Sequence, residues 1–276
     1  MAKKTQTTRS KKQTTTYADF NQDLETKSKP NFKLDIKYKN ETQKRLTESI
    51  HKNDLTICSG PPGSGKTFLA CYQALHELKH NKFIDKIVLV KSVTTLKDEE
   101  IGFLKGTMEE KMEPFVYSFV KNFEKIISRD ITNYLMEDKI IEVIPIAYMR
   151  GINIDNAVVI IDECQNITIE NIRTILSRIG ENSKMVLLGD LKQIDQKNKS
   201  NTALKFLVEN FYAVDYVGVI EFTLDDIVRH PLIKVIEPIF DMEMERQNEV
   251  RKTKPVKIKP IKEEKSFLNK IFNFFN

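Results

Sequence analysis

The chain has 276 residues, 40% of them hydrophobic, and a formal net charge of +5. This length has room for one large domain or two small ones, and no run approaches the roughly 20 uninterrupted apolar residues of a membrane-spanning helix, which argues against an integral membrane protein. The N-terminal run has no apolar segment typical of a secretory signal, and three widely spaced cysteines argue against a disulfide scaffold or a structural zinc site. We therefore expect a cytoplasmic protein, in the host cytoplasm if the Lys- and Asn-rich usage reflects an AT-rich viral genome such as that of a phage.

The charge is distributed unevenly along the chain. Residues 1–30 carry a net charge of +4 and residues 246–276 carry +6, so the body between them carries −5. We expect a disordered basic tail over residues 1–35, because its few large apolar side chains cannot bury enough surface to fold. Residues 246–276 are interpreted as a second basic tail. Either both tails are solubilising extensions, or they attract nucleic-acid phosphates in a sequence-independent way.

The second tail ends in a phenylalanine-rich segment, SFLNKIFNFFN. Its apolar side chains fall at helical spacing, on Phe267, Leu268, Ile271, Phe272 and Phe275. Such an amphipathic face predicts docking on the body of the protein or on a partner, and a membrane-surface anchor is the alternative.

Between the tails, apolar runs of strand length alternate with longer amphipathic segments. Asn40 and Gln43 predict the capped start of a first helix, with Leu46 and Ile50 on one face. The predicted strands are residues 54–59, 86–91, 140–145, 157–162, 184–189 and 216–222. Helices are predicted over residues 66–79, 108–128, 168–179 and 201–210. This alternation predicts an α/β fold with a mostly parallel central sheet.

The first predicted strand is followed by GPPGSGKT, residues 60–67, which matches the phosphate-binding pattern G-x-x-x-x-G-K-[ST]. The glycines permit tight turns and a close approach of the backbone, so that its N–H groups can wrap a polyphosphate. Lys66 is expected to reach the β- and γ-phosphates, and the Thr67 hydroxyl to coordinate Mg²⁺. The predicted nucleotide-binding residues of this loop are Gly60, Pro61, Pro62, Gly63, Ser64, Gly65, Lys66, Thr67 and Phe68.

A second apolar strand, VVIID, ends in two adjacent carboxylates. Asp162 is predicted to hold Mg²⁺, and Glu163 to orient and deprotonate an attacking water. A protein that only binds nucleotide would not need Glu163, so the pair predicts hydrolysis. The alternative is that these acids are simply solvated in a loop.

A third strand ends in LLGDLKQID, residues 187–195, and is predicted to lie beside the strand of Asp162. That placement would bring Asp190 and Gln193 near the γ-phosphate. Gln193 would then hydrogen-bond the terminal phosphate and couple its loss to movement. The alternative is a loop without a role.

These three segments together resemble the PhoH-like family of ATPases, whose P-loop core is related to superfamily 1 helicases. The resemblance covers about residues 36–245 and implies a single RecA-like P-loop lobe of three layers. It is also carried by GFLKGTMEEKMEPF (102–115), IPIAYMRG (144–151), DECQN (162–166), LSRIGENSKMVLLGD (176–190) and VRHPL (228–232). The chain departs from the family at KSVTTLKDEE (91–100), where an Arg-Pro-Ala-Val-type run is usual, and it lacks the proline that often follows Asp190.

The resemblance also implies roles for individual residues. Gln43 sits where related helicases place a glutamine that reads adenine, which favours ATP; an exposed helical glutamine is the alternative. Arg150, Arg178 and Arg229 are candidates for stabilising charge in the transition state, or else structural ion-pair partners, and Arg229 is the candidate arginine finger. The implied catalytic set is Lys66, Glu163, Gln193 and Arg229, with Thr67 and Asp162 as metal ligands.

The size of the body bears on mechanism, because a helicase that closes two lobes around ATP needs roughly 300–400 residues. With one lobe, the catalytic arginine must come from elsewhere in the chain or from a neighbouring subunit, and the second option predicts a homo-oligomeric ring such as a hexamer. We expect Mg²⁺-dependent ATP hydrolysis coupled to binding or remodelling of nucleic acid, single-stranded RNA above all. The alternative is an ATP-dependent oligomeric scaffold that recruits partners without moving nucleic acid.

Overall fold

The computed structural model describes residues 31–91, 108–149, 151–193 and 202–253. Within these ranges, six strands form one sheet: β1 (Leu55–Ser59), β2 (Lys86–Lys91), β3 (Ile141–Pro145), β4 (Ala157–Asp162), β5 (Lys184–Gly189) and β6 (Val217–Glu221). Every neighbouring pair is parallel, in the order β3-β2-β4-β5-β1-β6. The six predicted strands are confirmed, each to within one residue at either end.

The helices in the described residues are α1 (Glu41–Lys52), α2 (Lys66–His80), α3 (Met108–Ile127), α4 (Arg129–Glu137), α5 (Ile169–Leu176), α6 (Ala203–Asn210) and α7 (Leu232–Thr253). The predicted cap of α1 is confirmed, since the Asn40 side chain accepts a hydrogen bond from the backbone N–H of Gln43 at 2.8 Å. Sequence reasoning missed α4, which follows α3 after a break at Ser128, where φ is +81°. It also missed α7, which continues through Pro238.

Helices cover both faces of the sheet, because alternate strand residues point into two separate apolar clusters. Ile87 and Leu89 of β2 belong to one cluster, and Val88 and Val90 to the other. Side chains of α1, α2 and α3 complete the first cluster, and those of α5 and α6 the second. Burial on both faces explains why the strands are continuous apolar runs. The predicted α/β fold, a three-layer RecA-like P-loop lobe, is confirmed.

Several predictions fall wholly or partly outside the described residues. They concern residues 1–30, 92–107, 194–201 and 254–276, and Arg150. The expected domain limits of 36–245 stay predictions, although Phe32 packs into the core and α7 runs on to Thr253. Among the helices described, none combines the length and the hydropathy that crossing a membrane requires.

Candidate nucleotide site

The candidate site lies where three adjacent strands end. Ser59 of β1 pairs with Gly189 of β5, and Ile161 of β4 pairs with Leu187, so the carboxyl ends of these strands are nearly level. Ligands of open α/β sheets bind at this edge. A cleft of about 500 Å³ opens there, within the range of ordinary small-molecule sites.

The loop between β1 and α2 bends through glycines. Gly63 and Gly65 have φ of +83° and +91°, values that side-chain-bearing residues rarely adopt. A Cβ at Gly63 would also lie 2.9 Å from Cδ of Arg229, so this glycine lets that arginine lie against the loop. Gly65 caps α2 without a side chain, which leaves the first N–H groups of the helix available to an anion.

Lys66 folds back over this loop. Its Nζ donates to the carbonyl oxygens of Gly60 at 2.6 Å and Pro61 at 2.9 Å. Burial lowers the pKa of Lys66, while Cys58 and the carboxylates of Asp190, Asp162 and Glu163 act in the opposite direction. The ammonium group is thus held in the cleft by carbonyl oxygens. Phosphate oxygens would take their place as acceptors and form stronger, charge-assisted hydrogen bonds.

The predicted metal ligands meet in the cleft. The Thr67 hydroxyl donates to Oδ2 of Asp162 at 3.2 Å, which joins the start of α2 to the end of β4. Oδ1 of Asp162 accepts the backbone N–H of Glu163 at 3.0 Å. A hydroxyl beside a carboxylate is a ligand set that suits Mg²⁺, which keeps most of its waters and takes one or two carboxylates. The residues present therefore fit a magnesium ion.

Glu163 occupies an unusual backbone position directly after β4. Its φ of +60° lies in the left-handed region, which is uncommon for a residue other than glycine and clusters at functional sites. Its Oε2 accepts a hydrogen bond from Nε2 of Gln165 at 2.7 Å. The Oε1 of Gln165 in turn accepts the backbone N–H of Asp190 at 3.1 Å. The sequence predicted no role for Gln165 beyond its place in DECQN; the available signal was a polar residue in the turn that follows the buried strand β4.

The segment after β5 completes this side of the cleft. Asp190 is buried, and burial raises the pKa of its carboxyl, against the opposing effects of the backbone N–H of Lys192 and the charge of Lys66. Gln193 also lines the cleft but is exposed, and its backbone N–H donates to the Asp190 carbonyl at 3.3 Å. Both predicted residues therefore lie beside Asp162 and Glu163, as the strand order requires.

Gln43 reaches the P-loop from α1. It is buried, unlike the exposed helical glutamine of the alternative interpretation. Its Nε2 donates to the Ser64 carbonyl at 3.0 Å, and its Oε1 accepts the Lys39 N–H at 2.9 Å. These bonds support the loop, and adenine reading by Gln43 stays a prediction.

The candidate arginines are separated in the structure. Arg229 lines the cleft, and the adjoining Val228 N–H donates to the Gly63 carbonyl at 3.0 Å, which fixes this segment to the P-loop. Arg178 lies near the amino end of β4, where its carbonyl accepts the N–H of Ile154, and its guanidinium donates to Ser177 Oγ at 3.0 Å. Only Arg229 of these two faces the predicted nucleotide site of its own chain.

The cleft has a further wall that sequence reasoning did not foresee. The segment before α1 and one face of α3 contribute Ile36, Lys37, Lys39, Ser118, Asn122 and Lys125. These residues come from ordinary amphipathic segments far apart in sequence. Nothing in their spacing marks them, because they reach the cleft only through the packing of α3 against α2 and of the segment before α1 against the core.

The parallel sheet, the glycine-rich loop between β1 and α2, and the acidic pair after β4 define the class of P-loop nucleotide-binding proteins. The family model described as PhoH-like protein matches residues 35–241, and the chain belongs to this family. A PhoH-like protein of Bacillus subtilis is 39% identical over 203 residues, which cover 73% of this chain and 63% of that protein. Protein PhoH of Escherichia coli is 33% identical over 196 residues, or 70% and 55% of the two chains. The chain therefore spans less than two thirds of these relatives.

Solved structures resemble the chain only loosely. The UvsW helicase of bacteriophage T4 matches with a TM-score of 0.38 and 15% identity, over 77% of this chain and 69% of that one. The SWI2/SNF2 ATPase core of Sulfolobus solfataricus, solved in complex with double-stranded DNA, matches with a TM-score of 0.37 and 14% identity, over 70% and 46%.

Proposed function

We propose that this chain is a Mg²⁺-dependent ATPase of the P-loop superfamily. The observation that carries the proposal is the meeting of a P-loop lysine, a hydroxyl–carboxylate pair and a second carboxylate in one cleft. Lys66 lies on the P-loop, Thr67 contacts Asp162 at 3.2 Å, and Glu163 follows directly on the same strand end. A protein that only binds nucleotide needs the first two of these features but not the third.

Each residue of the cleft has a part in the proposed reaction. The loop N–H groups and Lys66 bind the phosphates, and Thr67 and Asp162 hold Mg²⁺, which neutralises phosphate charge. Glu163 orients an attacking water and accepts its proton. Arg229 stabilises the charge that develops on the transferred phosphoryl group, and Gln193 contacts the terminal phosphate. Gln43 is proposed to read the adenine base.

We further propose that hydrolysis is coupled to binding or remodelling of single-stranded RNA, in a homo-oligomeric ring such as a hexamer. The resemblance to the helicase-related family and the two basic tails support nucleic acid as the partner. In a ring, a neighbouring subunit would cover the open cleft from outside. Arg229 lines the cleft of its own chain, which supports its action within one subunit, so the ring is proposed for covering the cleft and not for supplying this arginine.

A second candidate function, an ATP-dependent scaffold that recruits partners, is supported by α7. Among the described residues, this helix exposes a row of large apolar side chains: Leu232, Val235, Ile239, Phe240, Met242 and Met244. Exposed apolar surface of this extent is typical of protein–protein contact. The same face would serve the ring, so it does not by itself separate the two functions.

Phosphate release from ATP tests the proposal and separates the two candidates. Wild type, Glu163→Gln and a control, Glu170→Gln on the exposed start of α5, are assayed with Mg²⁺, with and without single-stranded RNA or DNA. An ATPase predicts turnover by wild type and the control and a loss of about 100-fold or more in Glu163→Gln. Acceleration by nucleic acid supports the remodelling function, whereas indifference to it supports the scaffold. Binding of ATP without hydrolysis by wild type would overturn the proposed activity.

A further inference from the structure

Gln165 connects the two strand ends that carry the carboxylates of the cleft. Its side chain is only 2% exposed, in the turn that follows β4. The amide nitrogen donates to the Glu163 carboxylate at 2.7 Å, and the amide oxygen accepts the Asp190 backbone N–H at 3.1 Å. One rigid, planar group therefore joins the predicted base to the first residue after β5.

Gly189 makes this connection sterically possible. A Cβ at this position would lie 2.6 Å from Oε1 of Gln165 and 2.7 Å from Cδ2 of Leu204. Contacts this short do not occur, so any side chain at Gly189 would push the Gln165 amide away from β5 or move α6. The end of β5 is thus fitted to the amide at close-packed distance.

We propose that Gln165 is a positioning residue, which ties the Glu163 carboxylate to the backbone of the segment from Asp190 to Gln193 and passes the displacement of that segment by nucleotide on to Glu163. The inference rests on the proposed ATPase function and deepens it by naming how the site is regulated. Gln165 itself does not face the cleft; it acts through Glu163.

This coupling depends on the side-chain amide of Gln165, which reaches both partners and forms a hydrogen bond with each of them. Asp190 and Gln193 line the cleft beside Lys66, so phosphates bound there interact directly with this segment. If the Asp190 N–H moves, the buried Gln165 oxygen must follow it or lose its hydrogen-bond partner, and a buried acceptor without a partner is costly. The other end of the same amide then moves relative to Glu163, which changes both the direction and the hydrogen bonding of its carboxylate.

The kinetic test compares Gln165→Leu with a matched control, Gln73→Leu. Gln73 is also buried and donates to a glutamate, Glu77, at 2.9 Å, but it lies within α2 and outside the cleft. We expect Gln165→Leu to lower kcat for ATP hydrolysis by about 10- to 100-fold with KM changed less than about 3-fold, as for other residues that orient a reacting group. We expect Gln73→Leu to lower stability and leave kcat unchanged.

Backbone hydrogen exchange provides a second readout that does not depend on turnover. In wild type, a slowly hydrolysed ATP analogue with Mg²⁺ should change exchange at the Asp190 amide and at the Asn166 amide, which donates to the Glu163 carbonyl at 3.2 Å. In Gln165→Leu, the change at Asn166 should be lost.

These outcomes separate the inference from the proposed function. Wild type that binds the analogue but does not hydrolyse ATP would overturn the ATPase, and the exchange experiment would still decide the role of Gln165. An Asn166 response that persists in Gln165→Leu, or a kcat equal to that of the Gln73→Leu control, would overturn the positioning role.

Discussion

Two groups of carboxylates in the described part of the chain have different surroundings. Glu77 of α2 is 2% exposed and hydrogen-bonded within the chain to His51 Nδ1 at 2.7 Å, Gln73 Nε2 at 2.9 Å and Asn81 Nδ2 at 3.4 Å. Its two oxygens are thus occupied by side chains of the protein. Such a network contributes to stability and offers nothing to a ligand.

The carboxylates at the ends of β4 and β5 are arranged differently. Asp162, Glu163 and Asp190 line an open cleft of about 500 Å³, together with Lys66 and Arg229. Burial alone therefore does not identify a functional acid in this fold. The informative feature is a buried or half-buried acid whose neighbours include open space and cations.

The largest expected effect is that of removing the P-loop lysine. Lys66→Ala should weaken ATP binding by about 100-fold or more, because charge-assisted hydrogen bonds to the phosphates are lost. Titration with a fluorescent ATP analogue measures the dissociation constant. Lys79→Ala is the control, since Lys79 lies on the same helix and donates to the Phe32 carbonyl outside the cleft. Equal affinities of the two variants would contradict the assignment of the site.

Glu77→Ala tests whether the buried Glu77 network serves stability alone. We expect it to lower the free energy of unfolding by about 2–3 kcal/mol, because Gln73 and Asn81 lose a buried partner. Urea unfolding measures this loss, and ATP turnover per folded molecule should stay that of wild type. A fall in turnover without a loss of stability would show that the two regions are not independent.

The smallest effect is a pH dependence at Asp190. Burial raises the pKa of its carboxyl in the folded state, so the folded state retains the proton over a pH range in which the unfolded chain releases it. The contribution of Asp190 to stability is then fully present below the unfolded pKa and is lost as pH rises through the folded pKa. Asp190→Asn, which can still accept the Lys192 N–H, should gain stability relative to wild type as pH rises from about 4 to 7.

Urea unfolding of both proteins at several pH values measures the Asp190 effect. If Asp190→Asn loses stability relative to wild type as pH rises, the predicted sign is wrong. The slope of the stability difference with pH, rather than any single value, tests the predicted sign.

Local patterns in the sequence were sufficient for the sheet and for the P-loop. Apolar-rich runs of six or seven residues predicted the six strands that the structure describes, because strands buried on both faces are mostly apolar. The helix α7 was missed because its last eight residues lie in the segment interpreted as a basic tail, and because Pro238 inside it is unfavourable for a helix. The predicted end of α3 at residue 128 is confirmed to within one residue, but α4 was missed, because the turn at Ser128, where φ is +81°, gives no compositional signal that a second helix follows.

Some features of the nucleotide site were likewise predictable from the sequence, and others depend on the tertiary structure. The sequence alone determined the fold class, the phosphate loop and the acidic pair, since each depends on residues within one continuous segment. Tertiary structure decided that Gln165 joins Glu163 to Asp190, that Arg229 lies against Gly63, and that α3 forms a wall of the cleft. These contacts join segments far apart in the chain or depend on side-chain geometry, and no local spacing of residues encodes such distances.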